Sequence, residues 1–262
     1  AIAQYADQFF PTGVMPDKAF DLLEEILPYL LGKGVVQVRA EDVAAFVGEK
    51  VGVPAGAPSA KERKELLSLS ETLQSRVFGQ DSACAMLAQT LQRARSGLQE
   101  GKRPMGSFLF LGPTGVGKTQ TAKVLSDVFF GGENTMARLD MSEFQKPDAL
   151  SALIGATHQD EQVGALDAVF QEKQYGVVLL DEFEKAHRTV HDLFLQILDE
   201  GWYTNSRGDK VYATNTIIIA TSNAGTDTIW QWQKEGKEAA ENSRELVDVL
   251  VQEGVFRPEL IN

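Results

Sequence analysis

From Pro16 onward, Ala19, Leu22, Leu23, Ile26, Leu27 and Leu30 recur three and four positions apart, which predicts an amphipathic helix with Pro16 and Asp17 in its opening turn. Pro28 lies inside that stripe and is expected to kink or end it. Val35 to Val38 is a short strand candidate, and a second helix is expected over 40–49 with Val43, Phe46 and Val47 inward. Residues 51–59, with two prolines and two glycines, form the best linker in the chain. A charged helix is expected from Ala60 to about Ser75. The pattern therefore separates a small, mostly helical N-terminal unit, 1–59 with its linker, from a larger unit over 60–262.

The larger unit opens with Arg76-Val77-Phe78-Gly79-Gln80 and a helix whose Ala83, Met86, Leu87, Leu91, Ala94 and Leu98 make one apolar stripe, read as core. Apolar runs at 107–111, 137–139, 175–180 and 216–220 predict strands, with segments of helical period between them. Strands alternating with helices at these lengths imply an α/β fold with a mostly parallel sheet covered on both faces. Ligand chemistry in such a sheet belongs at the carboxyl ends of the strands. A later stripe, Val190, Leu193, Phe194, Ile197 and Leu198, leaves Gln196, Asp199 and Glu200 toward solvent or a neighbouring subunit. Residues 131–132 and 227–236 read as loops.

Composition changes this picture little: of 262 residues, 43% are hydrophobic and 24% charged, as in ordinary globular proteins. The formal charge of -12 argues against a broad nucleic-acid-binding face. Arg93, Arg95, Lys102 and Arg103 are read as a solvated helix end. The single Cys84, on a helix with apolar neighbours, is expected to be a buried structural thiol in a reducing compartment. No apolar run approaches a membrane span, so a cytoplasmic protein with no membrane or nucleic-acid partner is expected. The start at Ala1 and the end at Asn262 suggest a fragment of something longer.

The chemistry begins at Gly112-Pro113-Thr114-Gly115-Val116-Gly117-Lys118-Thr119, which fits G-x-x-x-x-G-K-[ST], a loop that cradles phosphates between a strand and a helix N-terminus. Its glycines allow positive φ and close backbone approach, Lys118 supplies a charge for the outer phosphates, and the Thr119 hydroxyl is placed for Mg2+. Gln120, next in the helix, is counted with the nucleotide-binding residues. Further on, Gly176 to Leu180 is a continuous apolar strand ending in Asp181 and Glu182. Two adjacent carboxylates at a strand tip suit a divalent cation, held by Asp181, and an attacking water, deprotonated by Glu182. The strand at 216–220 should end beside both tips, so Asn223 can hydrogen-bond the water or the terminal phosphate without neutralising either acid. His158, His187 and His191 have no metal-site spacing and are read as solvated or capping.

These motifs carry a family resemblance. Residues 76–80, 106–119, Arg138-Leu139-Asp140-Met141-Ser142-Glu143-Phe144, Leu180-Asp181-Glu182-Phe183-Glu184-Lys185-Ala186-His187 and Phe256-Arg257-Pro258-Glu259 resemble the second ATPase module of Clp-family AAA+ proteins, the ClpA, ClpB and ClpC type ring unfoldases and disaggregases. The segment 15–24 is similar to the small helical lid of the preceding module. The resemblance implies a P-loop AAA+ large subdomain, bound ATP or ADP with Mg2+, ATP hydrolysis, a homo-oligomeric ring such as a hexamer, and protein substrates. By the same resemblance Val77 and Phe78 contact adenine, 112–119 are Walker A, Asp181 and Glu182 are Walker B, and Asn223 is the first sensor. Arg257 matches a family arginine near the subunit boundary. The family's arginine finger would follow Asn262, so the chain alone is expected to hydrolyse ATP poorly.

One departure stands out. Where the family has Pro-Pro-Gly-Tyr-Val-Gly, whose aromatic grips polypeptide in the pore, this chain reads Thr157-His158-Gln159-Asp160-Glu161-Gln162-Val163-Gly164. Either the ring is a nucleotide-gated assembly that does not thread protein in the usual way, or it grips a different partner with an acidic, polar loop, or the loop is simply a variant and threading falls to another module. The segment 227–236 lacks the apolar tripeptide with which ClpA-like members dock a peptidase. Trp230 and Trp232 there are either a partner contact or helix packing.

Overall fold

The chain is described from a computed structural model covering all residues except 11–12, 52–57, 59, 96–102, 157–162, 173–174, 238–241 and 262. It divides into two compact units, Ala1–Arg63 and Lys64–Asn262. The first holds α1 (Ile2–Phe9), α2 (Asp17–Gly32) and α3 (Ala40–Val51), and the boundary falls within α4 (Ala60–Leu67). In α2, Leu22, Ile26 and Leu30 are buried at helical spacing, and in α3 so are Val43, Phe46 and Val47.

Two expectations fail in this unit. Of the two outcomes expected at Pro28, an end to the helix does not occur, since it continues to Gly32. Proline costs one backbone hydrogen bond, and here buried Ile26 and Leu30 on either side keep the stripe packed. Residues 35–38 form no strand: Val35 N–H closes the end of α2 by donating to Leu30 O at 3.0 Å, with Gly34 at φ 75°, and Val36 is left in solvent. The linker at 51–59 lies mostly outside the described residues.

The second unit continues with α5 (Leu69–Arg76), α6 (Asp81–Arg95), β1 (Gly106–Leu111), α7 (Lys118–Phe130), β2 (Met136–Asp140), α8 (Ala149–Ile154), α9 (Ala165–Glu172), β3 (Gly176–Asp181) and α10 (Arg188–Glu200). A short hairpin of β4 (Trp202–Thr204) and β5 (Lys210–Tyr212) follows, then β6 (Thr216–Ser222), α11 (Thr226–Lys234), α12 (Ser243–Gln252) and α13 (Pro258–Ile261). The main sheet is parallel in the order β1-β6-β3-β2.

Both central strands, β3 and β6, are buried on both faces, which explains their unbroken apolar runs. Val177, Leu179, Ile217 and Ile219 face a core with α5, α6 and α7, whereas Val178, Leu180, Ile218 and Ala220 face a second core with α8, α9, α10 and α12. Each valine, leucine and isoleucine among them contributes about 1.5–3 kcal/mol of burial. Gly176 opens β3 because a Cβ there would meet the Thr135 carbonyl oxygen at 2.0 Å.

Local corrections follow from packing. The expected helix over 60–75 is interrupted at Ser68, whose hydroxyl donates to the Lys64 carbonyl at 3.2 Å. On α6 the buried stripe is Cys84, Leu87, Ala88 and Leu91, while Met86 is 59% exposed; Leu98 lies outside the described residues. Burial raises the pKa of the Cys84 thiol, as suits an inert side chain. The segment 227–236 is mostly helix, not loop, because Trp232 turns into the core; Trp230 on the same helix is exposed. Asp199 pairs with Arg103 at 2.8 Å. The hairpin was not foreseen, nor was buried Asp167 of α9, which accepts hydrogen bonds from Tyr203 OH at 2.5 Å and Asn205 Nδ2 at 2.8 Å. Burial and the neighbouring carboxylate drive the Tyr203 pKa far upward, so the phenol stays protonated and donates to Asp167.

His187 caps α10, as one of the two readings held, but His191 is buried rather than solvated. Its Nε2 lies 2.9 Å from the Phe183 carbonyl oxygen, and burial lowers its pKa below the usual 6.5 against the opposing pull of that carbonyl and Asp192, with Arg257 and Arg188 adding to the fall. A depressed folded value means that the unfolded chain takes up the proton first. Stability is therefore complete above pH about 6.5 and falls as the pH drops below it, until folded His191 itself is protonated. Urea denaturation between pH about 5 and 7.5 should show this loss, and His191→Gln, which keeps a side-chain donor, should flatten it.

Candidate active site

The phosphate loop leaves β1 at Leu111 and returns as α7 at Lys118, with Gly112, Gly115 and Gly117 at φ 149°, 86° and 100°. Gly117 in the left-handed region turns the chain so that the helix N-terminus faces the loop. Thr114, Gly115 and Val116 are exposed, and Thr119 is half-buried in the first turn beside exposed Gln120. The loop is tied to the segment before α6 by Gln80 Nε2, which donates to Val116 O at 3.2 Å. That bond brings the 77–80 segment to the rim: Val77 is buried in the core, while Phe78 is 87% exposed, a free aromatic face.

The carboxyl ends of three strands meet here. β6 lies between β1 and β3, with Leu111 paired to Ser222 and Leu180 to Ala220, so the tips carrying the loop, the acid pair and Asn223 are adjacent. Lys118 Nζ donates to Asn223 Oδ1 at 2.9 Å and to Pro113 O at 3.0 Å, and also to Gly112 O. Thr114 Oγ1 donates to the same Asn223 oxygen at 3.4 Å. The lysine thus rests on carbonyls that an anion can replace. Burial lowers its pKa, and the carboxylates of Glu184 and then Asp181 pull it back up.

Asp181 and Glu182 diverge. Asp181 is paired with Arg138 of the neighbouring strand at 2.6 Å and accepts from Thr221 Oγ1, with its side chain 14% exposed. Glu182, at φ 57°, is the non-glycine residue with positive φ among the described residues. Such a conformation costs roughly 1–3 kcal/mol and persists only where the surroundings impose it. Here the Glu182 N–H donates to Thr221 Oγ1 at 3.2 Å, and its side chain, more open than that of Asp181 at 33% exposed, pairs with Lys185 at 2.7 Å. One acid is held inside the sheet edge, and the other reaches outward.

The residues fit a magnesium ion that comes with phosphates. Among the described residues no group of three or more His, Cys, Asp or Glu could hold a metal alone. A carboxylate and a hydroxyl, Asp181 and Thr119, are hard oxygen donors of the kind that bind Mg2+ together with substrate phosphate oxygens.

Arg257 makes its contact elsewhere, pairing with Asp192 of α10 at 2.6 Å. The variant loop is outside the described residues from 157 to 162, and Val163 after it is exposed. Three residues that contact the predicted set were missed as site residues: Thr221, Arg138 and Glu184, whose Oε1 accepts the Asn223 N–H at 3.2 Å. Arg138 had a signal, a charge within a five-residue strand next to the acid-bearing one.

A parallel sheet with a glycine loop on one strand, an acid pair on another and an amide on the strand between them defines a P-loop ATPase of the AAA+ class. Residues 103–262 match the family described as AAA domain (Cdc48 subfamily), and the chain belongs to the Clp-family AAA+ ATPases. It is 42% identical over 229 residues to the chaperone protein ClpB of Rhodopirellula baltica, covering 86% of this chain and 26% of that protein. It is also 42% identical over 232 residues to the chloroplastic ClpB2 of Oryza sativa subsp. japonica, covering 86% and 24%. The chain thus spans about a quarter of the length of these relatives. Among solved structures, the closed state of Hsp104 with ATPγS and FITC casein superposes with a TM-score of 0.88 at 33% identity, covering 100% of this chain and 45% of that one. The S. cerevisiae Hsp104:casein complex in its extended conformation gives 0.87 at 32%, with the same coverage. No helix among the described residues is long and apolar enough to cross a membrane.

Proposed function

We propose that this chain is the nucleotide-hydrolysing module of a ring-forming chaperone that remodels protein substrates with Mg-ATP. The observation that carries the reading is the 2.9 Å bond from Lys118 to Asn223, which joins the phosphate loop to the tip of the strand beside the acid pair. The loop amides and Lys118 bind the outer phosphates of ATP, and exposed Phe78 offers a face for adenine. A bound Mg2+, held by Thr119 and Asp181, supplies charge neutralisation at those phosphates. Glu182 takes a proton from the attacking water, and Asn223 orients that water or the terminal phosphate. Arg257 serves a subunit boundary in this reading, since its guanidinium sits on the half-exposed surface of α10.

Three further elements are proposed with it: a division near residue 60 between a lid-like unit and the large subdomain, a hexameric ring, and action in the cytoplasm. The relatives solved with casein support a polypeptide substrate, and the likeness to Hsp104 extends over the whole of this chain. The test is a fluorescent protein carrying an unstructured tag, incubated with the full-length protein and ATP. ATP-dependent loss of fluorescence is expected. Ring closure on ATP with fluorescence intact would instead make the protein a nucleotide-gated assembly, the outcome that the missing pore aromatic at 157–164 would produce.

A further inference from the structure

We propose that Glu184 is a positioning residue of the nucleotide site, tying the Asn223 loop to the Lys118 amine and setting how tightly phosphate is held. The inference rests on the reading of 112–119 as a phosphate loop. Glu184 lies in the single turn Phe183–Lys185 that follows the acid pair, and the left-handed Glu182 at its start sends the two glutamates different ways. Glu182 reaches out to Lys185, whereas Glu184 reaches the strand between loop and acids.

Its two oxygens do different things. Oε1 accepts the backbone N–H of Asn223 at 3.2 Å, which holds the residue whose side-chain oxygen takes the Lys118 ammonium. Oε2 is buried and has no hydrogen-bond partner among the described residues. A glutamine could supply the first bond without burying a charge, so the anchoring bond alone does not account for a carboxylate here. The charge acts on Lys118 through that same residue: Glu184 holds the Asn223 N–H at 3.2 Å and Asn223 Oδ1 takes the Lys118 ammonium at 2.9 Å, so the carboxylate lies one residue away from the amine. A negative group held there opposes the arrival of phosphate while it steadies the empty lysine. Glu184 thus both aims the Asn223 side chain and loosens the grip on nucleotide, a combination that favours release.

The experiment titrates a fluorescent ADP analogue into the full-length protein and measures ATP turnover alongside. Glu184→Gln keeps the acceptor for the Asn223 amide and removes the charge, so it should tighten ADP by roughly 3- to 10-fold. Glu184→Asp keeps the charge and withdraws the acceptor, so it should leave ADP affinity near wild type and lower kcat. Damage to the fold would weaken binding in both variants, so tightening in the glutamine variant is not a structural effect. The proposal is overturned if the Gln variant binds ADP unchanged or more weakly, if both variants shift affinity alike, or if neither folds. Lys118→Ala in the same titration separates the two claims: if it binds as wild type, the phosphate-loop reading itself fails.

Discussion

Glu182→Gln in the full-length protein is expected to lower ATP turnover by roughly 10²- to 10⁴-fold, the usual contribution of a positioned general base. Nucleotide should still bind, since the loop and Lys118 are untouched, and rings should become more stable because ATP is trapped. The amide has nearly the shape of the carboxylate, so the left-handed backbone at residue 182 and its bond to Thr221 survive. What is lost is a basic oxygen on the outward side of the strand tip. Steady-state phosphate release, set beside equilibrium binding of a fluorescent nucleotide, reads both effects. A variant hydrolysing at more than a tenth of the wild-type rate would show that another group removes the proton.

Lys118→Ala should produce the complementary failure, a loss of binding. Hydrogen bonds to a charged partner contribute about 1.5–3 kcal/mol, so affinity for ATP should fall roughly 10- to 150-fold. The folded chain should tolerate the change: Lys118 contacts loop carbonyls and Asn223, groups near the surface that water can satisfy. A melting temperature close to wild type with nucleotide binding weakened to that extent would place the lysine at the ligand. Unchanged affinity would mean that the glycine loop binds no phosphate. The two substitutions together separate holding the nucleotide from cutting it.

Much of this site was legible because its parts are local. The phosphate loop is one contiguous segment whose glycines and lysine have their roles by position in the chain, and the strand before it reads as apolar whatever it packs against. The acid pair is legible for the same reason: Gly176 to Leu180 can only be a buried strand, and two carboxylates cannot follow it inward. The failures are equally specific. Val35 to Val38 has strand composition, yet its backbone closes a helix end. The segment 227–236 reads as a loop, yet it is mostly helix, with Trp232 buried in a core built largely by residues far along the chain.

By itself, then, the sequence determined the α/β class, the existence of the apolar strands, the glycine loop and the acids that serve it. These rest on backbone conformation and on burial of apolar runs, which neighbours in the chain dictate. The sequence placed the 216–220 tip beside the other two, but the tertiary structure decided the strand order and the side-chain pairs it creates. Placing β6 between β1 and β3 brings Asn223 to Lys118 across 105 positions and Thr221 to Asp181 across 40, and it hands the Asn223 amide to Glu184. It also buried Asp167 against Tyr203 and Asn205, a charge that no local pattern would place in a core. A hydrogen bond selects its partner by distance and direction in space, and those are set only when the sheet has closed.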